Sequence, residues 1–232
     1  MNDLITACFV SLTMLTAIGA PVAAQSPVLR AGVSVDLADA SNSVAMPDAD
    51  EQDSLILAVT VKGSVYFGIT PISPADLAEK VKAGLSGRTG KKIYIKGDAR
   101  TSYAGMAKVL DAVRLAGVEA PNLLTAQRDS PEPGKPLSPK GLEVLVGPSL
   151  PSASESIAVQ ALNAGQRPTL SINSERISLD ALHATLRQLL QNRSQKMVVL
   201  RADELLPFGD VVRVIDACRS AGAKVFLATA GM

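Results

Sequence analysis

Aromatic side chains make up only 3% of the 232 residues, tryptophan is missing, and there is a single histidine, His183. Base-stacking platforms need aromatics and phosphate contacts need an excess of cations. With 23 Lys+Arg against 22 Asp+Glu the formal net charge is +1, so neither is present and no nucleic-acid partner is expected. Two cysteines, Cys8 and Cys218, cannot staple a disulfide scaffold, and any metal site or catalytic triad would have to be built without a second imidazole. The 47% hydrophobic content in turn excludes a disordered tail.

Charge is lacking altogether from Leu4 to Ala24, LITACFVSLTMLTAIGAPVAA, a run of 21 residues. A bilayer core of about 30 Å asks for about 20 apolar residues, so the run predicts a transmembrane helix over 4–24. The rival reading is a cleaved signal peptide, with Val22, Ala23 and Ala24 as the small-residue cleavage site. The residues before the run hold Asp3 and no Lys or Arg, which favours an uncleaved span. Either way the remainder is exported, because the flank after the run carries Arg30 as its one cation before Lys62 and then a series of acids from Asp36 to Asp53. Cys8 in the span and Cys218 in a helical pattern read as two lone buried thiols.

Turn-formers, acids and prolines fill Ala38–Ser54 and Gln127–Pro139, which read as linkers. The expected division is a span at 4–24, an extended linker at 25–54, a first copy at 55–126, a Pro-rich linker at 127–140 and a second copy at 141–232. The word "copy" is earned by an offset of 105 residues, which aligns Ile72–Gly117 with Ile177–Gly222 without a gap. Thirteen of those 46 positions are identical, among them Asp98/Asp203, Asp111/Asp216, Arg114/Arg219 and Gly117/Gly222. This is an internal duplication.

Within each copy the hydrophobic period switches in the same order, β-β-α-β-α-β, which predicts two small α+β domains with helices on one face of a sheet. In the first, Leu55–Val61 and Val65–Ile69 form a hairpin, and Ser73 with Pro74 opens a helix carrying Leu77, Val81 and Leu85. Ile93–Gly97 is a strand, a helix from about Tyr103 turns Met106, Val109, Leu110 and Val113 inward, and Asn122–Thr125 closes the unit. The second repeats this as Ile157–Asn163, Thr169–Asn173, a helix from Leu179, Met197–Ala202, a helix from Phe208 and Lys224–Thr229. The leader strands Gly32–Leu37 and Gly141–Val146 also correspond.

The run VVLRADELLPFGDVVRVIDACRSAG (Val198–Gly222), preceded by INSERISLDAL (Ile172–Leu182), resembles the ExbD/TolR biopolymer-transport family: a strand, Arg-Ala-Asp, a Pro-aromatic-Gly turn, then a helix with Asp and Arg before a glycine stop. IYIKGDARTSYAGMAKVLDAVRLAG in the first copy is a weaker version with Ser102 in place of the proline, and Ala20-Pro21 followed by QSPVLRAGVSVDLADAS is similar to the way such proteins leave the membrane. The resemblance implies a non-enzymatic, single-pass subunit of the cytoplasmic (inner) membrane, its bulk in the periplasm, coupled to the proton motive force. It further implies an ExbB/TolQ-class channel subunit around a homodimer, TonB- or TolA-type proteins as recipients of mechanical work, and no cofactor or metal.

Such coupling rests on an intramembrane aspartate, since a carboxylate in hydrocarbon is costly unless it exchanges protons or meets a polar partner. At the family's usual spacing from Pro21 this sequence has Ala7, and the acid near the span is Asp3, one helical turn earlier. Asp3 is therefore the candidate proton-coupling residue, with a solvated helix end as its alternative. The usual basic tail is not among residues 1–3, so the start lies upstream or coupling has been lost. Thr6, Ser11, Thr13 and Thr16 satisfy helix carbonyls or face a polar pore.

Other constellations weigh less. Gly84–Lys92 lacks the glycine and hydroxyl positions of a phosphate loop. Asp98 and Asp203 end equivalent strands in separate copies, where a turn or capping role outweighs acid-base catalysis. Lys91, Lys92, Lys96 and Arg100 form a basic cluster, for an anionic polymer or lipid head group or simply to guard a strand edge. Asp111–Arg114 and Asp216–Arg219 are three-apart helix pairs. The class opposed to a transducer is an uncoupled or secreted binding module that holds peptidoglycan or another envelope protein.

Overall fold

A computed structural model describes residues 33–51, 53–87, 92–127, 137–147, 156–165 and 168–229. The Leu4–Ala24 span, Asp3, Cys8 and Lys91 lie outside the described residues. Among the described residues no helix is long and apolar enough to cross a membrane.

The described residues build a mixed α+β fold from two sheets and four helices. After β1 (Val44–Ala45) and a 3-10 turn (Pro47–Asp50) come β2 (Ile56–Val59), β3 (Val65–Phe67) and β4 (Thr70–Ile72), then α1 (Leu77–Leu85), β5 (Tyr94–Gly97), α2 (Tyr103–Leu115) and β6 (Asn122–Thr125). Next follow β7 (Lys140–Glu143), β8 (Leu145–Val146), β9 (Ser156–Leu162), β10 (Thr169–Ile172), β11 (Glu175–Ile177), α3 (Leu179–Leu190), β12 (Met197–Ala202), α4 (Phe208–Ser220) and β13 (Lys224–Leu227). The duplicated order is as expected, with one addition: β4 and β11 extend each hairpin to a three-strand meander.

The first sheet runs β1-β7-β6-β5-β2-β3-β4 and the second β11-β10-β9-β12-β13-β8. In each, a helix crosses over between parallel strands: β2, β5 and β6 in the first, β9, β12 and β13 in the second. Helical periodicity places Leu77, Val81 and Leu85 of α1 and Met106, Val109, Leu110 and Val113 of α2 on the sheet side, all buried, and Gly117 and Gly222 stop α2 and α4 with φ of 93° and 83°.

Both faces of the first sheet are covered, which is why β2, β5 and β6 are buried at every position. Leu57, Ile95 and Leu123 face the helices; Ile56, Tyr94 and Leu124 face Met46 and Ala49 on the opposite side. The Ala38–Ser54 stretch, expected as a linker from its acids and turn-formers, is therefore a packed part of the fold. In the second sheet, β9 alternates buried and exposed positions and so keeps one wet face.

Two local readings differ. Ser73 holds the turn before α1 and not the helix itself: its hydroxyl accepts from the Asp76 amide at 3.3 Å and donates to Asp76 Oδ2 at 2.7 Å, and the helix starts three residues past Pro74. Ser178 does cap α3, accepting from the Ala181 amide at 3.2 Å. The Gly141–Val146 leader is divided between the sheets, β7 pairing antiparallel with β6 and β8 parallel with β13.

Candidate functional site

The two copies meet at the loops that open α2 and α4. In the first, β5 hands over to Asp98, whose buried carboxylate accepts from the Arg100 amide (3.1 Å), Arg100 Nε (2.9 Å), Arg100 Nη2 (2.8 Å) and the Asp36 amide (3.3 Å). The Arg100 guanidinium holds this carboxyl down at about 2. Ser102 then caps α2, accepting from the Gly105 amide at 3.4 Å. In the second copy Asp203 Oδ1 accepts from the Leu205 amide at 2.9 Å, and Pro207 precedes α4. Both aspartates thus shape turns.

The first amides of a helix have no partner within it. Here they find partners in the opposite copy: Tyr103 N–H donates to Leu206 O (2.8 Å), Ala104 N–H to Glu204 O (3.0 Å), Phe208 N–H to Thr101 O (2.8 Å) and Gly209 N–H to Ala99 O (2.8 Å). The loops following Asp98 and Asp203, kept apart in the sequence reading because each sits in its own copy, are in direct contact. Phe208 fills the space beside Gly97. Tyr103 is buried, its hydroxyl has no hydrogen-bond partner among the described residues, and burial pushes its pKa up.

Side chains carry the seam further. Asp111 pairs with Arg114 (Nε–Oδ1 3.4 Å), as its spacing predicts, but Oδ1 also accepts from the Thr229 hydroxyl of the second copy at 2.6 Å. Asp216 and Arg219 part company: the Asp216 carboxylate accepts from the amides of Ser41 (3.0 Å) and Asn42 (2.8 Å), and Arg219 Nη1 donates to Glu143 O at 3.1 Å. Helix spacing alone pairs the acid with the nearest cation; the backbone groups of another segment outcompete it here. The signal that could have located this seam was the duplication itself, since matched helix starts are surfaces that two copies can share.

The three described members of the basic cluster do not form one cationic surface. Lys92 pairs with Asp48, which raises the lysine's pKa and lowers the aspartate's, Arg100 is taken by Asp98, and Lys96 is buried, which lowers its pKa. His183 is half-buried on α3 near Arg187, Gln191 and Lys196. Cys218 is fully buried in α4 and its thiol is pushed up to about 12, an inert position. Among the described residues no group of three His, Cys, Asp or Glu stands together for a metal. A groove of about 750 Å³, missed in the sequence, runs on the first copy between the β2–β3 turn and α1 and α2; Lys62, Lys108 and the exposed apolar Val61 and Leu115 line it.

Two tandem α+β copies, turned towards each other at their helix starts, define a duplicated two-sheet α+β protein. The family described as "Biopolymer transport protein ExbD/TolR" matches this chain over residues 4–128 and again over 136–230, and the chain belongs to it. The "Tol-Pal system protein TolR" of Pseudomonas aeruginosa is 28% identical over 111 residues, covering 43% of this chain and 75% of that protein. No solved structure matches the chain.

Proposed function

We propose that the chain is a non-enzymatic subunit of a proton-motive-force-driven energy-transducing complex of the Tol or TonB type in the cytoplasmic membrane. Residues 4–24 would be the single transmembrane helix, and the copies, divided as 55–126 and 141–232, would stand in the periplasm. An ExbB/TolQ-like channel subunit would surround the span and a TolA/TonB-like protein would receive the work. A homodimer would form through the spans, with Asp3 as the coupling carboxylate. The observation that carries this reading is the twofold family match, which takes in the apolar run and both folded copies.

The test is the intact mass and company of the protein extracted from membranes of its own host. The full 24.1 kDa chain recovered with a channel subunit supports the proposal. A chain shortened by residues 1–24 in the soluble periplasmic fraction overturns it. That outcome supports the second reading, a secreted or uncoupled module that binds peptidoglycan or an envelope protein, favoured by the small residues Val22, Ala23 and Ala24 and by the groove lined by Lys62 and Lys108.

A further inference from the structure

The bonds across the seam obey the same 105-residue offset as the sequence repeat. The offset carries Tyr103 to Phe208 and Thr101 to Leu206, so the bond from Tyr103 N–H to Leu206 O becomes the bond from Phe208 N–H to Thr101 O. It carries Ala104 to Gly209 and Ala99 to Glu204, so the bond from Ala104 N–H to Glu204 O becomes that from Gly209 N–H to Ala99 O. Ser102 and Pro207, counterparts of each other, face one another in an antiparallel bridge at the centre. A contact in which i meets j, the equivalent of j meets the equivalent of i, and one residue meets its own equivalent is the signature of a twofold, isologous interface. Such a contact is ordinarily made by two identical chains.

A second relation points the same way. Asp111 and Asp216 are counterparts on α2 and α4, and each reaches out of its own half: Asp111 to the Thr229 hydroxyl, Asp216 to the Ser41 and Asn42 amides. The acceptor position is symmetric while the donors differ. The centre differs too, since Gly97 makes room for Phe208 where the other half has Ala202 and Tyr103.

We infer that the folded part of this chain is a pseudo-dimer closed within one molecule: the second copy occupies, on the first, the face that would otherwise receive another chain. Two separate chains lose translational and rotational freedom on meeting. A covalent connection makes the same encounter intramolecular, at an effective concentration on the order of millimolar. This face is then not available for self-association, and any homodimer forms elsewhere. Divergence of the halves becomes possible as well, because each side of the axis is encoded separately, as Ser102 against Pro207 and Tyr103 against Phe208 already show. The inference rests on the contacts and not on the transducer reading.

Cysteine cross-linking of the full chain tests it. Ser102 and Pro207 are both exposed and form the non-hydrogen-bonded kind of antiparallel pair, whose Cα atoms lie about 4.5 Å apart, inside the range a disulfide spans. In a Cys8→Ser background, Ser102→Cys with Pro207→Cys in the full chain, from whichever fraction it is recovered, should oxidise to a product of monomer mass, exceeding interchain dimer at least about tenfold. A predominant interchain dimer overturns the inference, and so does failure to cross-link in a folded chain. Ser102→Cys alone guards against a folding defect from losing the proline. Two chains meeting at this face would bring their Ser102 positions together on the axis and give a disulfide dimer; a face filled in cis gives none.

Discussion

Phe208 of α4 packs so closely on Gly97 of β5 that a Cβ added to the glycine would lie 2.5 Å from Phe208 Cε1 and 2.7 Å from Cδ1. The ring belongs to the second copy and the glycine to the first, and neither can move without disturbing the four backbone hydrogen bonds alongside. A methyl group at position 97 overpacks this junction. Gly97→Ala is expected to lower stability by about 1–3 kcal/mol, read from the denaturant midpoint. The same substitution at a freely adaptable site would be neutral or stabilising, and that result would remove Phe208 from its place in the seam.

Asp98 predicts how the seam responds to acid. Its carboxyl is held at about 2 in the folded chain, below the ordinary carboxylate value of about 3.9, so the folded state favours the charged form. Its contribution is complete above the unfolded value and is lost as the pH falls through the interval from about 4 to about 2. Asp98→Asn removes a charge-assisted acceptor from the Arg100 side chain and should cost about 2 kcal/mol at neutral pH. Stability curves of the two proteins should converge towards pH 2. Parallel curves over that interval would assign the acid sensitivity to other groups.

Thr229 joins the halves through one hydroxyl. Thr229→Val keeps the shape and removes the donor to Asp111, with an expected loss of about 1 kcal/mol. A double-mutant cycle with Asp111→Ala isolates the bond: once the carboxylate is gone, the valine should have little further effect. Full additivity of the two losses would show that the hydroxyl and the carboxylate do not interact in solution.

Asp3 lies outside the described residues and needs a functional readout. Asp3→Asn is expected to leave the amount of protein in the membrane unchanged and to abolish any envelope function that a protonophore also abolishes. Retained function in the variant would make Asp3 an ordinary end residue of the span.

Much of the architecture can be read from the residues because the duplication supplies each pattern twice. The expected helix starts at Tyr103, Leu179 and Phe208 coincide with those of α2, α3 and α4, and the glycine stops at Gly117 and Gly222 fall two residues past the helix ends. Ser73 misleads in position only: it holds the Asp76 amide as a cap would, but that turn also closes from the Asp76 amide onto Ser73 O, and the helix proper begins at Leu77. The Ala38–Ser54 stretch misleads for another reason. Met46 and Ala49 bury themselves against Ile56, Tyr94 and Leu124, and a cover made of two apolar side chains among acids has no periodicity to detect. Residues of the seam were legible singly, Asp98 and Asp203 among them, but their meeting is a tertiary event with no local pattern.

The segment from Lys140 to Val146 belongs to both sheets at once, β7 lying against β6 and β8 against β13. Neither half therefore has a clean edge at the proline-rich run before it. A cut there takes the penultimate strand from the first sheet, and with it the strand on which β1 pairs. A cut after it takes the edge strand from the second. For genetics this makes the pair hard to divide: an exchange at the linker leaves the first sheet without β7, and an exchange after Val146 leaves the second without β8. For mechanics, a load reaching one sheet is passed to the other through continuous main chain as well as through the hydrogen bonds of the seam.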